Sequence, residues 1–133
     1  MTDEELEEIR AQKRDELMNE PGKNDDEASP SEPVHISGSA DLEETVSGGV
    51  VLADFYADWC GPCKMLEPVV AELAAETDAT VAKIDVDANQ QLAQQYGVQG
   101  VPTLVLFADG EPVERMVGVQ DKGSLAGKIA QYA

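Results

Sequence analysis

Cysteine, histidine, tryptophan and basic residues are all scarce in this chain, and each scarcity removes a class of function. Its 133 residues include two cysteines, one histidine and one tryptophan. A structural zinc site takes about four N/S ligands, and Cys60, Cys63 and His35 supply too few, so no metal is expected. Lys and Arg total 9 against 27 Asp and Glu, for a net charge of −18. Nucleic acids and anionic membranes are held by basic patches, so neither is an expected partner. No apolar run approaches the ~18 residues of a membrane span. The start, Met1-Thr2-Asp3-Glu4-Glu5, lacks the basic and apolar regions of a secretory leader. The expectation is a soluble, cytoplasmic protein, in a compartment where disulfides are usually catalytic or transient. The acidity reads either as plain solubility or as adaptation to a halophilic cytosol, where salt screens the self-repulsion.

What is present is concentrated in one stretch. Trp59-Cys60-Gly61-Pro62-Cys63-Lys64 holds both cysteines. It follows a strand-like run, Val50 to Tyr56, and precedes Leu66, Val69, Val70, Leu73 and Ala74 at helical spacing. The thiols therefore fall where a strand's carboxyl end meets a helix's first turn. Positions i and i+3 of a helix bring Cβ atoms to about 5–6 Å, close to the ~3.5–4.5 Å of a disulfide. Unpaired N–H groups and the positive end of the helix dipole favour a thiolate at Cys60. Pro62 suits the first turn, where a missing N–H costs little. Trp59 offers a flat apolar shoulder, and Cys63, one turn deeper, is placed to resolve a mixed disulfide. Half a zinc site and an inert structural pair are the competing readings.

Residues 1–33 form a separate extension with twelve acids and four bases. Thr2-Asp3-Glu4-Glu5 resembles a capping box, predicting a helix over about 3–18 with a thin apolar stripe of Leu6, Ile9 and Leu17. Pro21-Gly22 ends it, and 23–33 reads as a polar linker. The extension is either a solubilising tail or a helix that docks a partner or the domain's own surface.

Residues 34–133 alternate between strand and helix patterns. Strands are expected at 34–36, 50–56, 81–86, 103–107 and 111–117. Helices are expected at 39–46 with Ser39 or Asp41 near the start, from after Cys60 to about 76 with a kink at Pro68, from an Asn89 cap to about 96, and from an Asp121 cap to about 132. Gly97 stops the third helix, and Asp109-Gly110 makes a hairpin turn. The fold class is α/β, a mixed sheet with helices on both faces. Strand 50–56 belongs at its centre because it is apolar almost throughout. Asp54 interrupts that run. A buried carboxyl has a raised pKa and can serve as acid/base for Cys63, or can simply be a structural acid bonded to backbone. Lys83 on the next strand either biases Asp54's ionisation or is an ordinary exposed lysine. His35 reads as a plain strand residue, Asp85 and Asp87 as strand-end acids rather than metal ligands, and Met65 as a filler.

Ala57 to Met65, Asp54-Phe55, Pro68, Val81 to Asp85, Gly100-Val101-Pro102-Thr103, Phe107, Asp109-Gly110 and Gly118 together closely resemble the thioredoxin family, over about 34–133. The resemblance implies the thioredoxin fold, with a central five-stranded mixed sheet and four helices. It implies Cys60 as nucleophile, Cys63 as resolving thiol, Asp54 as acid/base and Lys83 as its neighbour. Pro102 would be cis, and Trp59, Gly100, Val101, Pro102 and Gly118 would border a substrate groove. Gly61 and Pro62 would tune the redox couple towards reduction, since oxidising or isomerising relatives usually carry a histidine between the cysteines. Tyr56 departs from the tryptophan of many members but keeps an aromatic wall. The implied activity is protein-disulfide reduction by a monomer. It would use the Cys60–Cys63 couple with no bound cofactor and be recycled by thioredoxin reductase. The alternatives are a chaperone or complex subunit whose extension docks a partner, and an isomerase or oxidant.

Overall fold

The computed structural model describes residues 30–133, so the extension's helix over about 3–18 and its capping box lie outside the described residues. Strands β1 (Val34–His35), β2 (Val50–Tyr56), β3 (Thr80–Asp85), β4 (Thr103–Ala108) and β5 (Glu111–Val117) alternate with helices. These are α1 (Ser39–Val46), α2 (Gly61–Glu76), α3 (Gln90–Gln95) and α4 (Lys122–Tyr132). The sheet order is β1-β3-β2-β4-β5. β2 lies at its centre, parallel to β3 and antiparallel to β4. Open α/β sheets place their sites outside the carboxyl ends of such central strands.

Alternation along the strands sorts side chains between two cores. Leu52, Val81, Leu104 and Leu106 pack with Leu66, Val70 and Leu73 of α2 and Leu125 and Ile129 of α4. Val51, Ala53, Phe55, Ala82, Ile84, Val105 and Phe107 pack on the other face with Leu42 and Val46 of α1 and Leu92 of α3. Each large side chain so buried contributes about 1.5–3 kcal/mol before the entropy of ordering it.

Most boundaries follow local chemistry. Pro68 lies inside α2 without ending it; its ring removes the hydrogen bond that residue 68 would make to Lys64 O. Asp109 and Gly110 both have positive φ, as the two-residue hairpin between β4 and β5 requires. The Asp121 carboxylate accepts from Ser124 N at 3.1 Å and caps α4. Gly38 is the N-cap residue of α1, and the Asp41 carboxylate accepts from Ser37 N. One detail departs from expectation. Asn89 occupies the N-cap of α3, but its side chain makes no capping bond. It accepts from Gly38 N and donates to Ile36 O and Asp85 O, tying the β1–α1 loop to the β3–α3 loop. Because those loops also need donors and acceptors, tertiary contact outcompetes the local cap.

Candidate active site: a dithiol pair above a buried carboxylate

Cys60 is the N-cap residue of α2 and Cys63 lies one turn in, with their Cα atoms 5.3 Å apart and their sulfurs joined as a disulfide. The Cys63 backbone N–H donates to Cys60 Sγ at 3.1 Å. In the reduced protein this donor, together with the helix dipole, stabilises negative charge on Cys60. Gly61 and Pro62 between them are exposed. A Cβ at Gly61 would meet no atom within 4 Å, so glycine there is not enforced by crowding.

The residues expected to border a groove come from three separate segments. The Val101–Pro102 peptide is cis, and Val101 O lies 3.7 Å from Cys60 Sγ. Gly118 has a φ of 90°, and its N–H donates to Pro102 O at 2.9 Å, bringing the end of β5 alongside the cis peptide. Gly100 is exposed and its carbonyl accepts from Thr103 Oγ1 at 2.6 Å, holding the loop that precedes β4. Trp59 is 71% exposed, yet its indole Nε1 donates to Asp87 Oδ2 at 2.9 Å. Asp87, which sequence reasoning placed among strand-end acids, therefore joins the candidate site through Trp59. Its N–H is in turn accepted by Asp85 Oδ1 at 2.9 Å. An Asp-x-Asp turn after a strand was the only signal, and it did not name Trp59 as the client.

Asp54, Lys83 and Leu104 stand side by side in register on β2, β3 and β4. Leu52, Val81, Leu104 and Leu106 all pack against α2, so alternation puts Asp54 and Lys83 on that same face, at the end where Cys63 begins the helix. Asp54 is 1% exposed and neither carboxylate oxygen has a hydrogen-bond partner among the described residues. That excludes the backbone-bonded structural acid. Burial raises its pKa from 3.8 to about 6, with Lys83 lowering it and Glu67 raising it further. Lys83 is buried, not an ordinary exposed strand lysine. Its Nζ lies 3.4 Å from Glu67 Oε1 and 4.4 Å above the Tyr56 ring, so its close partners are these two rather than Asp54.

His35 is exposed on the edge strand and Met65 is exposed on α2, both outside this constellation. Among the described residues no group of three or more His, Cys, Asp or Glu is placed to hold a metal ion. None of the helices among them is long and apolar enough to cross a membrane.

Comparison with known proteins gives consistent relatives. The family model described as Thioredoxin matches residues 33–131. A thioredoxin of Chlamydia muridarum is 48% identical over 100 residues, covering 74% of this chain and 98% of that protein. A thioredoxin of Staphylococcus aureus is 51% identical over 89 residues, covering 65% of this chain and 86% of that protein. Among solved structures, a mutant thioredoxin from Halobacterium salinarum is 64% identical with a TM-score of 0.77, over 79% of this chain and 94% of that chain. Schistosoma mansoni thioredoxin is 31% identical with a TM-score of 0.72, over 80% of this chain and all of that one.

Proposed function

The chain belongs to the thioredoxin family, and from that premise we propose how its residues divide the work. It is a thiol-disulfide oxidoreductase that reduces protein disulfides through Cys60 and Cys63. In our reading the Cys60 thiolate attacks one sulfur of a target disulfide, forming a mixed disulfide and releasing the other target sulfur as thiolate. Asp54 takes the proton from the Cys63 thiol. The Cys63 thiolate then attacks Cys60 Sγ, releasing the second target thiolate and closing Cys60–Cys63. The target gains two electrons and the pair loses two; the proton on Asp54 leaves with the released thiolate. Thioredoxin reductase returns the two electrons, and no bound cofactor takes part.

The observation that carries this division is the stacking of functions along one helix start: a sulfur at the N-cap, a second sulfur one turn in, and a carboxyl on the sheet face below that has no hydrogen-bond partner among the described residues. Lys83, in contact with Glu67 and Tyr56, modulates Asp54 through space rather than by direct pairing. Trp59, Gly100, Val101, Pro102 and Gly118 border the surface that receives the target, and Gly61-Pro62 keeps the couple reducing. The domain spans 34–133, with 1–33 an appended acidic extension. A net charge of −18 and the 64% identity with the Halobacterium salinarum thioredoxin support a salt-rich cytoplasm as its setting. No observation on the described residues favours the docking-subunit reading.

The deciding experiment is a comparison of Cys60→Ser and Cys63→Ser in reduction of a model disulfide protein. Cys60→Ser loses all reduction. Cys63→Ser accumulates mixed disulfides visible on non-reducing gels. A Cys63→Ser protein that turns over normally refutes the assigned roles.

A further inference from the structure

Glu67 sits on α2 four residues after Cys63, and its side chain is 56% exposed where that of Lys83 is 10%. A lysine buried beside an unpartnered carboxylate would normally close onto it, because an opposite charge within ~4–6 Å is the cheapest way to keep both ionised. Here the Lys83 ammonium instead meets Glu67 Oε1 at 3.4 Å and lies over the Tyr56 ring at 4.4 Å. Asp54, directly opposite Lys83 in the β2–β3 register, is left without a hydrogen-bond partner among the described residues.

We propose that Glu67 is a positioning residue for the thiol-disulfide reaction: it holds the Lys83 ammonium out of contact with Asp54 and so keeps the buried carboxyl protonatable. The inference rests on Asp54 serving Cys63. A carboxylate in direct contact with an ammonium would be too weak a base to take a thiol proton near neutral pH. The held-off arrangement leaves burial as the dominant influence on Asp54, with Lys83 opposing it and Glu67 reinforcing it. The groups facing Asp54 are Lys83 and, farther along the same strand, Asp85 from β3. Glu67 and Cys63 come from α2 and Tyr56 from its own strand, while β4 presents only the apolar Leu104. Glu67 is the one member of the Asp54–Lys83–Glu67 set that reaches solvent. It can therefore be changed without opening the core.

The test follows the Asp54 carboxyl by carbon-13 NMR titration of the oxidised protein in four forms: unaltered, Glu67→Gln, Lys83→Gln, and the double variant. In Glu67→Gln the freed ammonium closes on Asp54, and the titration moves down by about half a unit or more, given the 1–3 units that a close opposite charge produces. In Lys83→Gln it moves up. In the Lys83→Gln background, adding Glu67→Gln moves it by less than half as much as in the unaltered protein, because the cation through which Glu67 acts is gone. An unmoved titration in Glu67→Gln overturns the inference, and so does an equal shift in both backgrounds. Asp54's service to Cys63 is read separately, from the pH dependence of mixed-disulfide resolution. If that reading holds, the acid limb follows the NMR titration across the four proteins and disappears in Asp54→Asn. A limb unaffected by Asp54→Asn refutes the role of Asp54 while leaving the NMR result to decide the role of Glu67.

Discussion

The two faces of the central strand do opposite things with the same backbone. Towards α1 and α3, β2 presents Val51, Ala53 and Phe55. There Phe55 and Phe107 meet Tyr96 at ring-centroid distances of 5.9 and 5.6 Å, a wholly apolar and aromatic contact. Towards α2 the same strand presents Leu52 and then Asp54, beside Lys83 on β3. The first face is optimised for burial. The second is optimised only as far as Leu52; beyond it, at the strand's carboxyl end, stability is given up for a titratable group beneath a reactive pair. Adjacent residues of one strand can differ so sharply because alternation sends them to separate cores.

Substitutions that cross this divide test it. The largest effect belongs to the pair itself: Cys60→Ser leaves the fold intact and removes reduction entirely. Next comes Phe55→Ala on the apolar face, which lowers unfolding free energy by about 3–5 kcal/mol. In it, activity per folded molecule stays near that of the unaltered protein. Paired denaturant melts and disulfide-reduction assays read both; equal losses in the two would dissolve the distinction between the faces.

Asp54→Asn reverses the sign. The folded-state pKa of about 6 lies above the unfolded 3.8, so the folded protein holds a proton there that the unfolded chain releases. Below pH 4 both states are protonated and the group is neutral in the balance. As pH rises through 4 to 6 the folded state loses ground, and above 6 it carries a buried carboxylate costing on the order of 3 kcal/mol. Relative to Asp54→Asn, the unaltered protein should therefore lose stability across that window and then level off, while remaining the faster reductase. Urea melts at pH 4, 5, 6 and 7 measure the difference; a flat difference across the series removes the buried-acid account.

The smallest effect is expected at the rim. Asp87→Ala deletes the acceptor that orients the Trp59 indole, an exposed hydrogen bond worth about 0.5–1.5 kcal/mol. Stability should hardly change, whereas KM for protein disulfides rises a few-fold with kcat nearly constant. A fall in kcat with unchanged KM would mean that Trp59 acts on the chemistry rather than on the encounter.

Much of this was legible beforehand. A nearly unbroken apolar run marked β2 and its central place, helical spacing from Leu66 to Ala74 marked α2, and Asp109-Gly110 marked the hairpin, because each depends on residues near one another in the chain. Cys60 and Cys63 were legible for the same reason, three positions apart on one turn. The contacts that complete the site were not. Trp59 and Asp87 are 28 positions apart, Cys60 and Val101 are 41, and Lys83 and Glu67 are 16. No periodicity announces such pairs. Asn89 shows the converse: its local signal was that of a cap, and the distant β1–α1 loop, together with Asp85 O, claimed its side chain instead.

By itself, then, the order of residues determined the elements, the position of the dithiol at a strand-to-helix handover, and the presence of an acid in a strand that should be apolar. Only the folded arrangement decided how the neighbours of that acid contact it and one another. Register put Lys83 opposite Asp54, and helix packing put Glu67 where it could claim the ammonium. Electrostatic influence depends on distance through space and on exclusion of water, and both come into being only when the sheet and α2 close on each other.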